Sequence, residues 1–175
     1  NQGAVDASLL RVAFDVVSAG RDHTCAVRSS DQYVSCWGAD WGGQVGGVPS
    51  GVAFADVVAG RGYSCGIRTS NGEATCWGND PYGQVSGVPA GVGFDALSAA
   101  RNAVCGIRNS NGEVTCWGRD NFGQSSGVPT GVSFAGVSGG RSHFCGIVSG
   151  TGQVECWGLD ASSQASGAPG GRTFD

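Results

Sequence analysis

Lysine and methionine are missing from this 175-residue chain, and it has only two histidines. All ten basic residues are therefore arginine, set against fourteen acids for a formal net charge of −4. No cation cluster in the sequence suits a phosphate backbone, so nucleic acid is not an expected partner. No stretch approaches the roughly eighteen consecutive apolar residues of a membrane-spanning helix, and no membrane span is expected. The Asn-x-Ser/Thr sequon is absent, which leaves glycosylation uninformative. Beginning at Asn1 with neither an initiator Met nor a charged and then apolar leader, the sequence reads as processed, trimmed or excerpted. No apolar 3.6-residue period runs for ten residues without glycine or proline, so almost no helix is expected.

What is present is repetition. Four units of forty residues align without a gap from Phe14, Phe54, Phe94 and Phe134, in a chain holding 33 glycines. Each unit keeps one arginine (Arg21, Arg61, Arg101, Arg141) and two cysteines in the same columns. Trp37, Trp77, Trp117 and Trp157 form another constant column, as do Asp40, Asp80, Asp120 and Asp160, and Gln44, Gln84, Gln124 and Gln164. A repeat of this length made of short apolar runs and turn residues points to propeller blades or a solenoid. Composition does not shift along residues 1–175, which read as a single domain. An arm over 1–13 precedes repeats at 14–53, 54–93, 94–133 and 134–173.

Within residues 54–93, Phe54 to Ala59, Ser64 to Ile67 and Ala74 to Trp77 read as three strands, the last two forming a hairpin around Thr69-Ser-Asn-Gly. A fourth, brief edge strand is expected near Gln84-Val85, giving four strands per forty residues, the size of a propeller blade. With a four-residue loop, hairpin arithmetic pairs Arg68 with Glu73 and places Cys65 opposite Cys76. The same count pairs Cys25 with Cys36, Cys105 with Cys116, and Cys145 with Cys156. Across a non-hydrogen-bonded pair the Cα atoms lie roughly 4.5 Å apart, within reach of a disulfide. Two other uses of these thiols stay open: a metal site, which the ten-residue gap fits poorly, and eight reduced buried thiols. Disulfides are the favoured reading and place the protein outside the cell or in an oxidising compartment.

The string Cys-x-Ile-Arg-x-Ser-Asn-Gly-x-x-x-Cys-Trp-Gly-x-Asp-x-x-Gly-Gln, present as Cys65 to Gln84 and again as Cys105 to Gln124, resembles the repeat of the regulator of chromosome condensation family. The resemblance covers residues 14–173. Its paired-cysteine form is similar to secreted bacterial repeat proteins and to crinkly-type plant receptor kinase ectodomains. It implies a β-propeller of four-stranded antiparallel blades that serves as a platform for other proteins. The family is typically seven-bladed, whereas four units stand here. Its nuclear members, which act on a small GTPase and chromatin, lack the cysteines, so nucleotide exchange is not carried over.

Strictly repeated residues have scaffold explanations first. The tryptophans are expected between blades with the indole N–H on a carbonyl, and the Asp and Gln columns are expected to tie down the loop after Trp-Gly. The arginine column is expected either to pair with the Asp column or to ring the central channel and attract anions. Recognition is sought in the columns that vary. One contains His23, Tyr63 and His143; another contributes Trp41, Tyr82 and Phe122, aromatic in three of four units. No catalytic constellation, cofactor motif or metal cluster is evident. The expectation is an all-β propeller of four 40-residue blades, each a short four-stranded antiparallel sheet with an intrablade disulfide. Its expected role is a non-catalytic, secreted module that binds a protein. The alternatives are a lectin with repeated glycan sites and a structural subunit that forms a homo-oligomer through blade edges. Residues 1–13 occupy the columns of 41–53, so closure within one ring, extension into a longer array and assembly between chains all stay open.

Overall fold

A computed structural model describes residues 12–169. Residues 1–11 of the expected arm over 1–13, and the end of the fourth repeat from 170 onward, lie outside the described residues, and the expected overlap between them falls there. The first unit comprises β1 (Phe14–Ala19), β2 (His23–Arg28) and β3 (Val34–Gly38); the second, β4 (Phe54–Ala59), β5 (Tyr63–Arg68) and β6 (Ala74–Gly78). The third comprises β7 (Phe94–Ala99), β8 (Ala103–Arg108) and β9 (Val114–Gly118); the fourth, β10 (Phe134–Gly139), β11 (His143–Val148) and β12 (Val154–Gly158). Each unit is one antiparallel meander, and the described residues hold four separate sheets with no helix.

The hairpin register follows the sequence arithmetic. Ile67 faces Ala74, Gly66 faces Thr75 and Cys65 faces Cys76, and the backbone N–H of Arg68 donates to Glu73 at 3.0 Å. Turn chemistry explains the tip: the Asn71 side chain accepts from the Glu73 N–H, and Gly72 takes a φ of 72° that a residue with a Cβ adopts at a cost. All four disulfides form as expected, Cys25–Cys36, Cys65–Cys76, Cys105–Cys116 and Cys145–Cys156, with Cα separations of 4.0 to 4.1 Å.

The expected fourth strand is not there: each blade has three strands. Gln84 and Val85 lie in a run of turns, because the Asp80 carboxylate accepts from the N–H groups of Val85 at 2.7 Å and Ser86 at 3.1 Å. Those amides are then unavailable to a sheet ladder. The Gly87 N–H closes the turn by donating to the Gly83 carbonyl at 2.9 Å.

The core lies between blades. Cys25, Val27 and Val34 of the first blade pack against Phe54, Val57 and Trp77 of the second. The same arrangement joins Cys65, Ile67 and Ala74 to Phe94, Leu97 and Trp117, and then Cys105, Ile107 and Val114 to Phe134 and Trp157. Each tryptophan donates its indole N–H to the Gln carbonyl of the preceding blade at 3.1 to 3.2 Å, Trp77 to Gln44, Trp117 to Gln84 and Trp157 to Gln124. Phe and Trp thus act as a knob that the preceding blade receives.

Candidate functional site

The inner strand of each blade ends in small residues, Ala19-Gly20, Ala59-Gly60, Ala99-Ala100 and Gly139-Gly140, and an arginine follows each. Successive turns are tied together: the Arg21 N–H donates to the Gly60 carbonyl and the Arg61 N–H to the Arg101 carbonyl, both at 3.2 Å. As a result Arg21, Arg61, Arg101 and Arg141 line one cavity of about 460 Å³, whose remaining wall is alanine and glycine. Among the described residues none of the four pairs with the Asp column, and Arg21 alone has an acid, its neighbour Asp22 at 3.2 Å.

The Asp column is occupied elsewhere. Asp40 accepts from the N–H groups of Val45 and Gly46, and these bonds hold its carboxyl below the usual range. At Asp80 and Asp120 partial burial works the other way, but hydrogen bonds from Ser86 and Val85, and from Ser126 and Ser125, outweigh it. The Gln side chain completes the loop, with Gln44 Oε1 accepting from Gly42 at 2.8 Å and Gln84 Oε1 from Tyr82 at 3.0 Å.

These loops place the aromatic column beside the arginine turns. The Asn79 N–H donates to the Gly62 carbonyl and the Arg119 N–H to the Asn102 carbonyl, both at 2.8 Å, so each post-Trp loop starts at the turn that follows its own blade's arginine. Trp41 of the first blade lies over Gly62 of the second, where φ is 74° and any added Cβ would collide with the indole. Tyr82 carries the Arg119 guanidinium over its ring at 4.9 Å. Trp41, Tyr82 and Phe122 are 56%, 45% and 47% exposed. One end of the molecule therefore combines a cationic centre with an aromatic rim.

The third column is divided. Tyr63 is fully buried, and its hydroxyl lies 2.8 and 2.7 Å from the Ala100 and Ala103 carbonyls of the next blade. Burial pushes its phenol up. His23 is buried too, with Nε2 2.7 Å from Ser64 Oγ, and desolvation lowers its pKa despite nearby Asp22 and Asp40. Both residues are taken up by blade packing and do not reach the rim. His143 is half-buried, on the blade that has no successor among the described residues. Sequence reasoning missed Arg119; its column also holds Ala39, Asn79 and Leu159, so no repetition marked it.

Residues 54–84 match the family model of the Regulator of chromosome condensation (RCC1) repeat. The match falls within one of the four units. The other three repeats share its register and disulfide, and Trp117 and Trp157 share its Trp-Gln link; for Trp37 the equivalent of the Gln column is position 4, outside the described residues. No curated protein matches the chain. Among solved structures it is similar to the ectodomain of the Physcomitrella patens receptor kinase CR4, at 29% identity and a TM-score of 0.79, over 94% of this chain and 44% of that one. It is similar also to the CRINKLY WD40 ectodomain of the Arabidopsis thaliana receptor kinase ACR4, at 28% identity and a TM-score of 0.70, over 83% of this chain and 50% of that one. Yeast RCC1 (Prp20), solved bound to Kap60, shares the fold at 15% identity and a TM-score of 0.67, over 86% of this chain and 44% of that one. The chain thus spans about half the length of the structures it matches.

Proposed function

We propose that this chain is a non-catalytic extracellular module that receives a protein partner on its arginine-and-aromatic end. One observation carries the reading: Trp41, Tyr82 and Phe122 stand half exposed on equivalent loops of three successive blades, around the arginine turns. Exposed aromatic rings beside arginine are the residue types that dominate protein interfaces. Loops held on a rigid scaffold are the usual carriers of recognition. Four disulfides and the likeness to two receptor ectodomains support an extracellular setting. The test compares affinity capture from the secreted proteins of the source organism by the parent chain and by a Trp41→Ala, Tyr82→Ala, Phe122→Ala variant. A protein retained by the parent and lost by the variant supports the reading. Retention by both, or capture of saccharides alone on a glycan array, overturns it.

A second reading, a subunit that assembles through its blade edges, rests on a different observation. Phe14 and Trp37, the knob of the first blade, are 42% and 50% exposed, whereas Phe54 and Trp77 are 0% and 4%. At the other edge, Cys145, Ile147 and Val154 line an open apolar groove of about 260 Å³, in the columns that receive the knob in earlier blades.

A further inference from the structure

We propose that the arginine-lined cavity is a carboxylate-binding site that takes an acidic segment of a peptide, an inference that rests on the protein-partner reading above. The chain shows that it can neutralise an arginine where the fold needs it. In the column of Arg28, Arg68 and Arg108, each guanidinium faces an acid: Asp31 at 2.8 Å, Glu73 at 2.6 Å and Glu113 at 3.9 Å. The inner column has no such provision. Arg61, Arg101 and Arg141 have no ion-pair partner among the described residues, and no acid lines the cavity. Arg61 Nε is buried and finds no acceptor among the described residues; the same holds for Arg68 Nε, but the Arg68 guanidinium is already paired with Glu73. A buried donor without a partner is costly, so the arrangement gains when an external oxyanion fills it.

Like charge accumulates at the same place. Partial desolvation, then Arg61, Arg141, Arg119 and Arg21, lower the pKa of Arg101, which marks mutual repulsion at the mouth. A chain with a net charge of −4 thus gathers cations at this one end. Guanidinium groups are rigid forks that engage carboxylates through two parallel hydrogen bonds, and they donate without accepting. The side chains of the cavity wall donate without accepting, which matches a carboxylate, an acceptor only, better than a sugar hydroxyl, which also has a proton to donate. The alanine and glycine wall leaves the volume open, and the rim rings Trp41, Tyr82 and Phe122 offer apolar contact to residues flanking the acid.

The test uses the intact chain, a hexaglutamate peptide, a hexalysine peptide and a sulfated oligosaccharide, with binding followed by calorimetry at low and high salt. The expected result is binding of hexaglutamate alone, weakened by salt and by about tenfold or more in Arg61→Gln and in Arg101→Gln. Arg68→Gln, which removes a paired arginine, should leave affinity unchanged; circular dichroism and non-reducing mass confirm that each variant is folded. No hexaglutamate binding at low salt, equal weakening by Arg68→Gln, or preference for the sulfated oligosaccharide overturns the proposal. If the captured partner is lost with the Trp41, Tyr82, Phe122 variant but kept by Arg61→Gln, Arg101→Gln, the protein-partner reading stands and the carboxylate site falls.

Discussion

Gln32 takes a φ of 60° at the tip of the β2–β3 hairpin, where the other repeats place Gly72, Gly112 and Gly152 at 68° to 73°. Ser163 stands at 57° in a column otherwise filled by Gly43, Gly83 and Gly123. A left-handed residue with a Cβ costs about 1 to 2 kcal/mol, partly offset by the greater freedom glycine has in the unfolded chain. Gln32→Gly should therefore stabilise the protein by about 0.5 to 1 kcal/mol, read as a higher midpoint of thermal unfolding with disulfides intact. Ser163→Gly should act in the same direction. Protonation gives a second test at this scale. The folded-state pKa of the Asp column is depressed, so its contribution is present above the ordinary carboxylate value and is lost as pH falls through the folded value. His23 is also depressed, by burial; the unfolded chain binds its proton first, and stability is lost as pH falls below the ordinary histidine value. Thermal midpoints should decline first below about pH 6.5 and again below about pH 4. Removing the histidine titration with a His23→Gln variant should flatten the first decline and spare the second.

Between elements the same tryptophan column has two environments, which allows one substitution to be compared with itself. Trp77 is buried against the first blade and donates to Gln44, while Trp37 is half exposed. Trp77→Ala should cost about 3 to 5 kcal/mol as a large core truncation. Trp37→Ala should cost no more than about half of that, because half of its surface stays in water and it has no blade before it among the described residues, and chemical denaturation of both variants checks the ratio. The blade interior was legible because period-two pairing is arithmetic: Thr69 to Gly72 fix the register and bring Cys65 to Cys76. Opening that cross-link with Cys65→Ala, Cys76→Ala should cost about 3 kcal/mol in the chain-entropy model, again read by denaturation. The fourth strand was misjudged for an equally local reason. Gln84-Val85 has strand composition, but the Asp80 carboxylate four residues earlier competes for the amides, and sequence alone does not say which acceptor wins. The arginine column presented the same ambiguity. Whether Asp40 and its equivalents turn toward arginine or toward their own loop depends on a loop geometry that only the folded chain shows. Burial of Tyr63 and His23 was likewise hidden, since their partners lie in the next blade, some forty residues on.

Across the whole molecule, three equivalent joints run head to tail, each placing a Phe-Trp knob of one blade against a cysteine and two aliphatic residues of the blade before it. Such a joint is heterologous, so an array of blades that does not close on itself leaves one knob and one groove unused. Both are open here: Phe14 and Trp37 at one edge, Cys145, Ile147 and Val154 at the other. Burying two large rings in an apolar groove is the main favourable term at each internal joint. A second copy offers the same pair of surfaces with the same shape, so the free knob of one chain fits the free groove of another. Sedimentation of the purified chain should show a mass that rises with concentration, and Trp37→Ala or Ile147→Arg should return it to that of a single chain. Because both residues are exposed in the single chain, neither substitution should lower its thermal stability by more than about 1 kcal/mol. A single-chain mass at every concentration, in the parent as in the variants, would refute assembly through these edges while leaving the arginine-lined end and its aromatic rim untouched.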